Sequence, residues 1–184
     1  MAGFEESVVT LLAGGTLLTE SVILLYLFLS AVNYFTDSGF LKRFSDINEF
    51  IDRGYREIGL LIAGVATSGS LYLSTVLGWT PCRLCWYQRI FMYPLVLLFA
   101  VSLLLNREKV TDYTLPMSII GFGIAVYHYL VQFLSQVQAQ GCSITQVSCE
   151  TKYTIYFGHI SIPTMAAAAF AAIAIISYRK FREN

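Results

Sequence analysis

The sequence is poor in charge. Only 13% of its 184 residues are Asp, Glu, Lys or Arg, and twelve basic residues offset twelve acidic ones to a net charge of zero. A chain without a net field offers no electrostatic footprint for nucleic acid or for an acidic partner. It also lacks a basic start. MAGFEESVV holds no lysine or arginine, so a cleaved signal peptide is not expected and the first apolar run reads as retained. No internal repeat, low-complexity tract or linker divides the chain into soluble domains. What the chain has in abundance is apolar residues, 56% of the total. A soluble core of that composition leaves much apolar surface with nowhere to go, and a bilayer is the solvent that accommodates it.

Crossing a hydrocarbon layer of roughly 30 Å takes about 20 helical residues. Five stretches meet that length: Val8 to Tyr34, Ile58 to Trp79, Trp86 to Leu105, Leu115 to Val137, and Ile160 to Tyr178. Positive loops stay cytoplasmic, and the basic residues alternate accordingly. Lys42, Arg43, Arg53 and Arg56 precede the second span, Arg107 and Lys109 follow the third, and Arg179, Lys180 and Arg182 end the chain. The other face receives the region of Cys82 and the segment QAQGCSITQVSCETK, where Arg83 and Lys152 are the basic residues. The expected layout is a multi-pass cell-membrane protein with a cytoplasmic C-terminus. Residues 1–36 form an N-terminal transmembrane helix and residues 37–57 a cytoplasmic connector. In the connector Phe40, Leu41, Phe44, Ile47, Phe50 and Ile51 recur at helical spacing. Residues 58–184 carry the other four spans.

The four cysteines form two local pairs, Cys82 with Cys85 and Cys142 with Cys149, both expected at the extracytoplasmic face. An even count at an oxidising face permits disulfides. Structural staples and a four-thiolate zinc site are the alternatives. Structural zinc organises small polar domains, whereas these loops are tied to helices that the membrane already holds together. A c-type haem requires histidine directly after the second cysteine, where Trp86 stands. A staple across two residues closes a small loop and removes little chain entropy. Electron exchange suits the pair better. Pro81 favours a helix start, which places Cys82 and Cys85 in the first turns of the third span, where free N–H groups and the helix dipole favour a thiolate.

Arg89 lies four residues after Cys85, on the same helical face, at a depth where an arginine marks function or snorkels to the interface. His128, in AVYHYLVQ, sits in the outer half of the fourth span as a proton relay or a hydrogen-bonded interior histidine. His159 reads as an interface residue. Trp79, Trp86, Tyr87, Tyr153, Tyr156 and Phe157 read as an aromatic belt, with Trp86 and Tyr87 alternatively walling a pocket. Ala63, Thr67, Ser70 and Ser74, and Ala167, Ala171 and Ile175, read as small packing faces. Pro94 and Pro163 fall early in their expected spans.

Taken together, PCRLCWYQRIFMYPL, YHYLVQ, the two-cysteine outer loop and ISIPTMAAAAF closely resemble the DsbB family of disulfide-bond formation proteins, especially its short BdbC-like branch. The resemblance runs from about Gly59 to Tyr178. It implies an all-α membrane protein, a DsbB-like four-helix transmembrane bundle, here with one additional N-terminal transmembrane helix. It implies an enzyme that reoxidises an extracytoplasmic thioredoxin-fold thiol oxidase, DsbA-like or BdbD-like, and passes the electrons to a membrane quinone, ubiquinone or menaquinone. By the same resemblance Cys142 and Cys149 form the loop disulfide that meets the partner's thiols, with Cys142 the point of attack. Cys149 then exchanges with Cys82, Cys85 is the thiolate beside the quinone, and Arg89 is the cation stabilising the developing charge. The resemblance includes the YHY stretch without assigning it a role; His128 is expected in the quinone site with Arg89 and Cys85 because quinone reduction consumes protons that an imidazole relays, and no metal is expected. The first span and its connector have no counterpart in the four-helix core, and the loop pair is closer than in the long-loop branch. A vitamin-K-epoxide-reductase-like enzyme and a cysteine-based metal carrier are the competing classes. The order of the pairs, CxxC first, counts against the former.

Overall fold

The structure, a computed structural model, describes residues 2–35, 48–134, 148–149 and 155–183. Five long helices carry it: α1 (Ala2–Phe35), α2 (Tyr55–Thr75), α3 (Arg83–Leu104), α4 (Thr111–Phe133) and α5 (Ile162–Glu183), with a 3-10 turn at Glu108–Val110. All five are long and apolar enough to cross a membrane. Among the described residues the sole β feature is an isolated bridge between Tyr156 and Ile160. The expected all-α, five-span membrane architecture is therefore what the chain adopts.

The boundaries differ in informative ways. Helix α2 ends at Thr75, so Trp79 lies beyond it, and α3 begins at Arg83 rather than Trp86. Pro94 consequently lies in the interior of α3, whereas Pro163 is in the first turn of α5, as expected. Of the connector, residues 48–53 are helical and meet α2 at Gly54. The remainder of its expected apolar face, Phe40 to Ile47, lies outside the described residues, as do Cys142, Tyr153 and the end of the expected fourth span.

Helices α2, α3, α4 and α5 close into a ring: each packs on the next, and α5 returns to α2, while α1 packs from outside against α5. In lipid no hydrophobic force drives helices together, so the ring depends on close approach and on buried polar contacts. Gly59 of α2 makes room for the ring of Phe99, and Gly121 of α4 makes room for the ring of Phe170; both rings are fully buried. Leu95, Ala63, Ala125 and Ile173 fill the space between them. The Thr114 and Ser177 hydroxyls bond across α4 and α5 at 3.0 Å. Arg56 donates to Asn106 Oδ1 at 3.0 Å, fastening α2 to the end of α3. At the far end of α5, Arg179 grips the Asp52 carboxylate through Nε at 3.1 Å and Nη2 at 2.6 Å, and donates from Nη1 to the Tyr26 hydroxyl at 2.9 Å. That fork joins the connector, α5 and α1 in one contact.

A methyl group at Gly121 would collide with the Phe170 ring, whereas one at Gly123 meets nothing within 4 Å. Gly121→Ala should therefore destabilise the fold by about 1–3 kcal/mol, the usual cost of overpacking. Gly123→Ala should cost nothing, and unfolding of the two variants in a denaturing-detergent titration checks the difference.

Candidate functional site

The site is organised by the N-terminus of α3. Cys82 is the helix cap, with extended backbone (φ −72°, ψ 174°), and its sulfur accepts the backbone N–H of Cys85 at 3.4 Å. A thiol here does what a serine or aspartate does at other helix starts, satisfying one of the free first-turn N–H groups. Cys82 thus precedes the helix instead of occupying its first turn, because the chain turns into the helix only after Pro81. Cys85, inside that turn, is brought round so that the two sulfurs are 3.2 Å apart, unbonded, with the Cys82 thiol donating to Cys85. Cys82, just ahead of the membrane-spanning segment, is buried, and its pKa is pushed up to about 12, first by that hydrogen bond and then by burial.

On one side of this dithiol lies the fourth span. His128, at the end of α4, is almost completely buried. Gln88 donates from Nε2 to His128 Nδ1 at 3.1 Å, which leaves the ring proton on Nε2. That nitrogen lies 3.2 Å from the Cys149 carbonyl oxygen and 3.5 Å from Cys82 Sγ. Cys149 is itself buried and packs with Cys82 and Val131 in one apolar cluster. Gln88, His128 and the Cys149 backbone thus form a chain of hydrogen bonds that holds the second cysteine segment against the first.

On the other side lies a half-open cavity of about 320 Å³ lined by α1, α2, α3 and α5. Its wall includes Cys85, Gln88, Arg89 and Tyr93 from α3 and Ser70 from α2. Arg89 is not left bare in the apolar layer. It donates from Nε to the Ser70 hydroxyl at 2.9 Å and from Nη2 to the Ser70 carbonyl at 2.8 Å, and its guanidinium lies 5.2 Å from the Trp86 ring centroid. The Tyr93 hydroxyl is buried without a hydrogen-bond partner among the described residues.

The structure brings Cys82, Cys85, Arg89, His128 and Cys149 to one end of the bundle; Cys142 lies outside the described residues. His128 is not among the residues lining the cavity, since α4 contributes none; it faces the cysteines instead. Trp86 is half exposed and covers Arg89, Tyr87 bonds to Arg83 at 3.0 Å, and His159 pairs with Glu20 at 3.2 Å. Two contributors escaped the sequence reading. Ser70 was legible only as a small packing residue, and Gln88 could have been found from its place one turn after Cys85.

A dithiol at the mouth of a polytopic helix bundle, one thiol buried and the other half-buried, in contact with a further buried cysteine on one flank and a cavity on the other, defines a membrane thiol–disulfide protein. The chain belongs to the DsbB family: the family model described as disulfide bond formation protein DsbB matches residues 53–178, which include all four cysteines, Arg89 and His128. Among relatives, disulfide bond formation protein C of Bacillus subtilis is 42% identical over 115 residues, 62% of this chain and 83% of its own. A probable disulfide formation protein of Oceanobacillus iheyensis is 45% identical over 126 residues, 66% of this chain and 85% of its own. Probable disulfide formation protein C 1 of Bacillus anthracis is 40% identical over 114 residues, 62% of this chain and 82% of its own. No solved structure gives a significant match. The family carries disulfide-bond formation, and this chain is a multi-pass membrane member of it.

Because the Cys85 contact is the first cause of the raised Cys82 pKa, Cys85→Ala should lower it. The sign is fixed: a raised pKa means little thiolate at neutral pH, so alkylation of Cys82 should begin at lower pH in Cys85→Ala than in the reduced native protein. The pH profile of maleimide labelling, read by mass spectrometry, checks this.

Proposed function

We propose that this chain is a quinone-linked disulfide oxidoreductase that regenerates a thioredoxin-fold thiol oxidase at the extracytoplasmic face of the cell membrane. The observation that carries the reading is the position of the dithiol between two environments: Cys82 packs against Cys149, while Cys85 and Arg89 stand in the wall of the cavity.

A quinone suits the groups present. Arg89 and the Gln88 amide supply donors suited to carbonyl oxygens, and the remainder of the wall is largely apolar. When bound, a quinone accepts two electrons and two protons and leaves as quinol. The chain's own residues do the rest. A partner dithiol reduces the Cys142–Cys149 disulfide and becomes a disulfide itself. Cys149 then reduces the Cys82–Cys85 bond through an intermediate Cys82–Cys149 link, which re-forms Cys142–Cys149 and leaves Cys82 and Cys85 as dithiol. Reoxidation of that dithiol releases the two electrons and two protons into the cavity. Arg89, fixed by Ser70, stabilises negative charge on Cys85 as the sulfur reacts. His128 holds Cys149 in register with Cys82 and, with Gln88, links the cysteine side of α3 to the cavity side.

The same sulfurs allow a second reading. Cys82, Cys85 and His128 offer ligand atoms within 4.8 Å of one another, a soft donor set suited to a thiophilic metal. One purified preparation decides between them. Mixed with a reduced thioredoxin-fold oxidase and a soluble quinone analogue, the protein should consume quinone, followed by absorbance. Cys85→Ser should abolish the reaction, and Arg89→Met should slow turnover roughly 100-fold, as loss of a charge-stabilising donor does. A folded protein that consumes no quinone and holds metal stoichiometrically would establish the carrier instead.

A further inference from the structure

Helix α1 lies wholly outside the family match, which begins at residue 53, yet it is docked on the bundle at several points. Val9, Ala13 and Thr16, spaced along one helical face, are buried. Leu12 abuts Gly69 of α2, where a Cβ would lie 3.3 Å from both Leu12 methyl groups. Glu20 pairs with His159, and Tyr26 accepts from Arg179. A helix held by an aliphatic contact, an ionisable pair and an arginine fork is a fixed part of the structure.

Its docked face forms one wall of the cavity that holds Cys85 and Arg89. Leu11, Leu12, Gly15, Thr16 and Thr19 all line it. The two threonines present little polarity there, because each hydroxyl is used within the helix: Thr16 donates to the Leu12 carbonyl at 2.9 Å and Thr19 to the Gly15 carbonyl at 2.8 Å. The opposite wall, on α3, is formed in part by Cys85, Gln88 and Arg89. The cavity is thus polar on α3 and apolar on α1. Gly15 keeps the α1 side roomy, since a Cβ there meets nothing within 4 Å.

We propose that α1 is the specificity wall of the acceptor site: it closes the cavity opposite Arg89 and receives the hydrocarbon portion of a prenylated quinone, whose oxygenated ring faces α3. This rests on the acceptor reading above and extends it to a segment that the family match does not reach. The helix added to the four-helix core sets how much apolar bulk fits beside the reactive sulfur, through the small residues Gly15, Thr16 and Thr19.

The test uses the full-length protein. Gly15→Trp adds bulk on the α1 side at a position where a Cβ meets nothing within 4 Å. It should raise KM for a prenylated benzoquinone about tenfold, a loss of about 1.4 kcal/mol, while leaving unchanged the quinone-free thiol exchange with a reduced thioredoxin-fold oxidase. Leu24→Trp, which puts the same side chain at an exposed position of the same helix, should leave KM alone. Should Gly15→Trp not fold, a benzoquinone carrying a photoreactive group on its tail should label the native protein between Leu11 and Thr19. Native protein that turns over quinone with KM unmoved by Gly15→Trp, or with the label confined to other helices, overturns the role of α1 alone. Native protein that turns over no quinone removes the acceptor reading and this one with it.

Discussion

The contact between the two sulfurs at the cap of α3 governs the rest of the structure. Helix starts leave N–H groups unpaired, and here one of them is satisfied by the Cys82 sulfur, which fixes that thiol one turn from Cys85 and sets the pair 3.2 Å apart. A pair locked in this way has two faces. Cys82 is turned toward the end of α4 and the Cys149 segment, whereas Cys85, at the edge of that same cluster, also lines the space between α1, α2, α3 and α5. The proposed relay, which exchanges with a protein on one side and a lipophilic molecule on the other, uses that division. The helix cap supplies it with no further device.

The surrounding bundle keeps the arrangement rigid. Glycine opposite a buried phenylalanine, once between α2 and α3 and once between α4 and α5, lets the helices approach closely enough to close the ring. Arg89 is half-buried at the edge of this ring, where Ser70 and the Trp86 face hold its charge. The Gln88–His128–Cys149 chain does the corresponding work on the other flank. There a neutral ring with one donor and one acceptor joins three segments that the sequence keeps far apart.

Much of this was legible from the sequence, for a physical reason. The bilayer acts on every residue of a span, so composition alone located five helices, and the CxxC, the arginine four residues on and the second cysteine pair were visible as spacing. The start of α3 was misplaced because Trp86 and Tyr87 look like the edge of a belt, although the cap is decided locally by Cys82. Contacts between distant segments left no mark. Nothing in the string pairs Arg89 with Ser70, turns His128 toward Cys149, or seats Thr16 on a cavity, because each depends on which helix is the neighbour. The arginine fork from Arg179 to Asp52 and Tyr26 was hidden likewise, since Arg179 reads as one more positive charge at the end of the last span.

The central claim is the division of labour within the dithiol, and it can be measured by disulfide mapping of two paired-cysteine proteins. In Cys85→Ser/Cys142→Ser the remaining Cys82 and Cys149 should join on mild oxidation and appear as one linked peptide. In Cys82→Ser/Cys142→Ser the remaining Cys85 and Cys149 should stay mostly unlinked. Equal linkage in both, or linkage only through Cys85, would contradict the account.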